Sequence, residues 1–179
     1  MQEKTHFCGG YLEICRFFRI FAALNKRILI MTQEQKSNTK VIRNEKFGGE
    51  RPLFATHDLR LENVTITDGE SGIKQCQNIE AYDCKFYGKY PWWHVDGARI
   101  DNCYFALGSR SAIWYTNDLV MTNSRIDAPK FFREMKNLTL ENVEITDADE
   151  TFWKVDGIRI KNVKLHGGTY PFMFSQNIF

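Results

Sequence analysis

A parallel β-helix, with one solenoid coil per repeat, is the fold this sequence predicts, and three observations predict it. The first is a phrase that recurs six times: residues 59–66 (LRLENVTI), 79–86 (IEAYDCKF), 98–105 (ARIDNCYF), 119–126 (LVMTNSRI), 138–145 (LTLENVEI) and 158–165 (IRIKNVKL). The second is its period. Asn63, Asp83, Asn102, Asn123, Asn142 and Asn162 follow one another at intervals of 20, 19, 21, 19 and 20 residues, and self-similarity near that period marks a solenoid. The third is alternation. Leu59 and Leu61 precede the Asn position and Val64 and Ile66 follow it, a period of two that means strand. Leucine-rich repeats share the period, but their LxxLxLxxN phrase and helical return are missing here.

The Asn position interrupts the alternation, so it marks a bend between two short strands. Asn tolerates the left-handed backbone that a sharp bend needs. Coils stacked about 4.8 Å apart pile equivalent side chains into columns. Two of these should face inward: Leu61, Ala81, Ile100, Met121, Leu140, Ile160, and Val64, Cys84, Cys103, Ser124, Val143, Val163. The Asn column should form an amide ladder, each bond contributing about 1 kcal/mol net. Asp83 is the exception, because a carboxylate cannot donate. That rung should be weaker.

Before the repeat, residues 1–40 read as an N-terminal extension. Residues 11–24 (YLEICRFFRIFAAL) are apolar at helical spacing. Glu13, Arg16 and Arg19 interrupt them, which argues against a membrane span, and the opening MQEKTHF lacks the basic start of a secretory signal. Two expectations stand for residues 1–30: a helix lying on a membrane surface, or upstream sequence read in frame ahead of a start at Met31, with the second favoured. Residues 41–57 are expected to cap the first coil, with Phe47, Leu53 and Phe54 over its core. Residues 58–179 are the β-helix proper. The chain stops within a coil, where QNIF (residues 176–179) repeats the opening of QNIE (77–80). A longer solenoid, or self-association through the uncapped last coil, is the expectation there.

The length of 179 residues suits one domain. A net charge of +2 gives no pointer to nucleic acid. The five Cys are odd in number and lack framework spacing, which argues for reduced thiols. Cys84 and Cys103 share a column on adjacent coils, within disulfide range, yet the small-hydrophobe reading is preferred. No spacing implies a metal or any other cofactor.

Aromatic residues make up 14% of the chain and gather after residue 86, so a site is sought there. Aligned on the repeat, one column reads Ile73, Trp92, Ile113, Phe132, Phe152, Phe172, and the next Lys74, Trp93, Trp114, Arg133, Trp153, Met173. Strand neighbours point to opposite sides, so the uniformly apolar column belongs to the core. Trp93, Trp114 and Trp153 then face outward as a platform for a carbohydrate. His94, Tyr115, Glu134 and Lys154 follow on the next column, and Asp96 and Asp156 beyond it. The candidate ligand-binding residues are therefore Trp93, Trp114, Trp153, His94, Tyr115, Asp96 and Asp156. Asp96 and Asp156 lie three coils apart, roughly 14 Å, too far for an inverting glycosidase pair at about 6.5–9.5 Å. Asp101 and Asp127 read as isolated, and His57, His94 and His166 as falling on different arcs. No catalytic residue is assigned. The other reading is a non-catalytic scaffold that binds protein partners through its aromatic face or open ends; the structural alternative for the Trp column is that its rings stack on one another and shield the sheet face.

FGGERPLFA (47–55), YPWWHVDGARIDNC (90–103), RSAIWYT (110–116) and TFWKVDGIRIKNV (151–163) carry a resemblance. From about residue 41 to its end the chain resembles DUF3737, a bacterial family of uncharacterised proteins. The resemblance implies a right-handed single-stranded β-helix similar to the pectin-lyase-like superfamily, of cytoplasmic origin. It also implies family members longer by several coils, and it transfers no catalytic residue.

Overall fold

A computed structural model describes residues 39–179, so the expectations placed on residues 1–38 lie outside the described part. Every strand pairing between Lys40 and Ile178 is parallel. The strands form two sheets that run side by side up the axis. A nine-stranded sheet carries the long strands, such as Ile73–Tyr82, Trp92–Asp101 and Trp153–Lys161. A seven-stranded sheet carries the short ones, from Lys46–Glu50 to Lys164–Leu165. Successive coils contribute strands to both sheets, with Leu53–Phe54 extra in the nine-stranded sheet and Gln176–Ile178 without a counterpart in the other, and the stack has about seven turns. Among the described residues the helical content is one 3-10 turn, Leu107–Ser109.

The register confirms the columns. Leu61 pairs with Ala81, Ala81 with Ile100, Ile100 with Met121, Met121 with Leu140 and Leu140 with Ile160. All are buried except Ile160, which packs against the core from its edge. Every member of the Asn column has positive φ, from 50° at Asn102 and Asn123 to 56° at Asp83. A left-handed residue here turns the chain without spending a core position, because its side chain stays outside while Val64 or Val143 re-enters. Asn63 donates to Asn44, Asn102 to Asp83, Asn142 to Asn123 and Asn162 to Asn142, the Asn63 and Asn142 bonds at 2.8 and 3.0 Å. Asp83 accepts from Asn102 but donates nothing to Asn63. Asn123 turns aside to Asp101 at 2.8 Å.

Further bends recur on the same period, and two of them flank one facet. One is Asp58, Asn78, Gly97, Asp118, Asn137, Gly157 and Asn177, all at positive φ. It forms a second, shorter ladder in which Asn78 donates to Asp58 at 2.9 Å and Asn137 to Asp118 at 2.7 Å. Gly97 fits between because a Cβ there would come within 2.9 Å of Asn78 Oδ1. The other bend is Gln75, His94, Tyr115, Glu134, Lys154 and Phe174, again left-handed throughout. Between these two bends each coil has a facet only two residues wide.

The cap expected over residues 41–57 is a coil instead. Lys40–Arg43 pairs with the next coil, placing Ile42 on Leu61. Asn44, at φ 57°, sits under Asn63, and Phe47 pairs with Ile66. KVIRNEKF is thus the repeated phrase with Lys40 and Glu45 at positions that are apolar elsewhere, as a terminal repeat requires. Leu53 enters the core, but Phe54, expected to cover it, is outward and exposed because it pairs with Lys74.

Cys76, Cys84 and Cys103 are free and buried. The column that holds the last two also performs a hydrogen-bonding task. The N–H after each bend is buried: that of Cys84 meets Cys103 Sγ at 3.4 Å, and that of Cys103 meets Ser124 Oγ at 3.0 Å. Cys103 and Ser124 supply that acceptor in this column, which Val64, Val143 and Val163 otherwise fill with small apolar side chains. The contact with the Cys84 thiol, and after it burial, pushes the Cys103 thiol up from its ordinary range.

Candidate functional site

The apolar column lies inside as expected: Ile73, Trp92, Ile113, Phe132 and Phe152 are buried, and Phe152 stacks on Phe132 at 5.3 Å and on Phe172 at 4.6 Å. Its neighbour is outward and half-buried. Trp93 pairs with Trp114, Trp114 with Arg133 and Arg133 with Trp153.

The rings in this outward column face each other along the axis. Trp93 stacks on Trp114 at 4.9 Å. The Arg133 guanidinium lies between Trp114 at 4.6 Å and Trp153 at 4.7 Å. A planar delocalised cation fits such a slot, and a Lys ammonium does not. Lys130 pairs with Glu150 at 3.0 Å, and Glu150 with Arg133 at 3.5 Å, which fixes the guanidinium. Trp114 Nε1 donates to the Lys130 carbonyl at 2.7 Å. Tyr90 closes the ladder edge-on against Trp93, and Phe174 does so against Trp153. Flat indole faces are therefore spent within the column, which presents edges to solvent. Trp153 is held apart from the other two by Arg133.

Beside this ladder, around the next bend, the two-residue facet opens into a groove of about 510 Å³. Met135 and Val155 give its apolar floor. One wall is the bend column, where His94 stacks on Tyr115 at 4.6 Å and 12°, and where Lys154 pairs with Glu134 at 3.3 Å. The other wall is a row of one side chain per coil: Asp96, Asn117, Lys136, Asp156 and Gln176. Asn117 donates to Asp96 at 3.0 Å and accepts the Lys136 N–H at 2.9 Å. Asn177 donates to Asp156 at 2.7 Å. That bond, with another from Gln176, holds the Asp156 carboxyl below the usual carboxylate range. Among the described residues Lys136 has no ion pair within 4 Å, although its charge also favours the ionised Asp156.

Of the sequence candidates, His94, Tyr115, Asp96 and Asp156 line one groove, and the three Trp lie behind it, with Trp93 edge-on to Tyr115 at 5.7 Å. Asn117, Lys136, Phe174 and Gln176 escaped the sequence reading. Carrying the Asp96 column through every coil would have found three of them. Asp101 and Asp127 are not isolated. Asp101 accepts from Thr122 and Asn123, and Asp127 from Tyr104 and Thr146, with Arg125 at 2.9 Å. Both are structural acceptors between coils. The three histidines share no site: His57 meets Asp58 and His166 meets Glu144.

A wider concavity, about 890 Å³, follows the Asn ladder from Asn63 to Asn162. Its amides largely bond each other. Among the described residues no group of three or more His, Cys, Asp or Glu is placed to hold a metal ion. No helix there is long and apolar enough to cross a membrane.

A parallel β-solenoid with a polar groove along an aromatic ladder is the class of protein these features define. Residues 40–179 match the family described as "Protein of unknown function (DUF3737)"; the match covers most of the chain, and the chain belongs to that family. No curated protein matches it.

Proposed function

We propose that this solenoid is a non-catalytic carbohydrate-binding protein that seats a glycan along the groove between His94 and Gln176. The observation that carries this reading is the lining of the 510 Å³ groove. Its Met135 and Val155 floor and its Tyr115 and Phe174 rings suit the C–H faces of sugars. Its carboxylates, amides and ammonium suit hydroxyls, as in sites with an apolar surface and a few convergent polar groups. The Trp ladder serves as the rigid wall behind the ligand rather than as the stacking platform. Hydrolysis is not part of the reading, because Asp96 and Asp156 are separated by three coil spacings, roughly 14 Å. The odd number of Cys, five without framework spacing, supports a cytoplasmic setting.

The scaffold reading has one observation in its favour: the ring faces of the aromatic column are already occupied by Arg133 and by each other. One titration separates the two. Soluble oligosaccharides, both uncharged and uronate, are added while Trp fluorescence is followed, since Trp93 touches Tyr115 at the groove wall. A saturable change that H94A/Y115A abolishes, with the melting temperature kept, is expected. Silence toward every sugar overturns the proposal in favour of the scaffold.

A further inference from the structure

The wall from Asp96 to Gln176 reads, coil by coil, as acceptor, amide, cation, acceptor, amide. The two carboxylates stand at roughly 14 Å with the Lys136 ammonium between them, in no ion pair within 4 Å among the described residues though its charge favours the ionised Asp156. Across the groove, Glu134 and Lys154 neutralise one another. From this order of charges we infer that the groove selects uncharged, polyhydroxylated glycan chains, laid along the solenoid axis, and rejects chains of uronic acids. The inference rests on the groove being the glycan site proposed above.

The physical reason is a mismatch of valence. A hydroxyl both donates and accepts, so an uncharged chain can satisfy Asp96, Asn117, Lys136 and Asp156 in turn. A uronate chain carries a carboxylate on each ring. One of these can meet Lys136, and a longer chain then brings others to Asp156 one coil along and to Asp96 two coils back. Both carboxylates are fixed in place by amide donors, Asn117 at 3.0 Å and Asn177 at 2.7 Å, so they cannot swing away. Like charges brought together count against the wrong partner and so add to the discrimination that contacts give.

The test compares uncharged glucose or xylose oligomers with galacturonate oligomers of equal length, by calorimetry on the whole chain. At low salt the uncharged chain is expected to bind about tenfold or more tightly than the uronate, a difference of about 1.4 kcal/mol. The gap should narrow as salt screens the exposed carboxylates. D96N/D156N keeps an acceptor oxygen for each amide and should close the gap. K136Q, which removes the only attraction for a uronate, should widen it, and serves if the double variant misfolds. A uronate that binds as tightly as the uncharged chain at low salt overturns the inference and leaves the groove reading intact. No binding of either class overturns both.

Discussion

Two exposed ladders run up this solenoid, and they solve the same stacking problem with opposite chemistry. The Asn ladder lines one bend and the Trp–Arg ladder lines the edge of the long sheet near another. In the first, every rung has the left-handed backbone, so each side chain also fixes the turn. In the second, Trp93, Trp114, Arg133 and Trp153 occupy ordinary strand positions outside the left-handed set, and the turn is delegated to His94, Tyr115, Glu134 and Lys154. The Asn side is therefore spent on the fold. The aromatic side frees the following bend column to vary, and variation there produces the groove. Identity of rungs marks structure, and difference between rungs leaves room for a ligand.

The sharpest way to break that comparison is Asn142→Ala. Asn142 donates to Asn123, accepts from Asn162 and holds φ at 55°. Losing both bonds and leaving Ala in the left-handed region should cost about 2 kcal/mol. Asn142→Gly removes the bonds but not the conformational freedom and should cost about half as much. Urea unfolding midpoints of the pair measure the share due to the turn. Equal losses would mean that the backbone argument fails. On the aromatic side, Arg133→Ala opens the slot between Trp114 and Trp153 and removes the partner of Glu150. A cost of about 1–2 kcal/mol is expected, with a change in Trp emission that Arg133→Lys does not restore. An Asn142 variant should leave that emission unaltered.

Asp83→Asn goes the other way. The rung between Asn63 and Asp83 lacks a donor, and an amide at 83 supplies one while still accepting from Asn102. Stabilisation of about 0.5–1 kcal/mol is expected. This position was legible in the sequence, because the column is homogeneous and one member cannot donate. The coils, their register and the burial of both inward columns were legible for the same reason: apolar spacing of two within a period near 20 leaves one arrangement that buries them all. The coil at residues 40–56 was not, since Lys40 and Glu45 break the apolar pattern just where a terminal repeat turns polar. The second bend column was overlooked although Asp58, Asn78, Gly97, Asp118, Asn137, Gly157 and Asn177 share the period. The groove was half legible. His94, Tyr115, Asp96 and Asp156 could be placed on adjacent columns, but the edge-on attitude of the Trp rings depends on Arg133 entering between them. No period records that.

The smallest expected effect separates the rungs by pH. Asp58, Asp149 and Asp156 each accept hydrogen bonds that hold their carboxyls below the usual value of 3.8: from His57 and Asn78, from Thr169, and from Asn177 and Gln176. A folded pKa lower than the unfolded one gives stability that is present above the unfolded value and is lost as pH falls through the folded one. The melting temperature should therefore be level down to about pH 5 and decline below about pH 4. All three groups face solvent, so salt should shrink the decline. Asn–Asn rungs carry no titrating group. Replacing the three with Asn should flatten the acid limb and lower stability near neutrality by about what the parent loses in acid. If acid instead unfolds the triple variant as steeply as the parent, the sensitivity lies in other carboxylates, and these mixed rungs contribute no more than the neutral ones beside them.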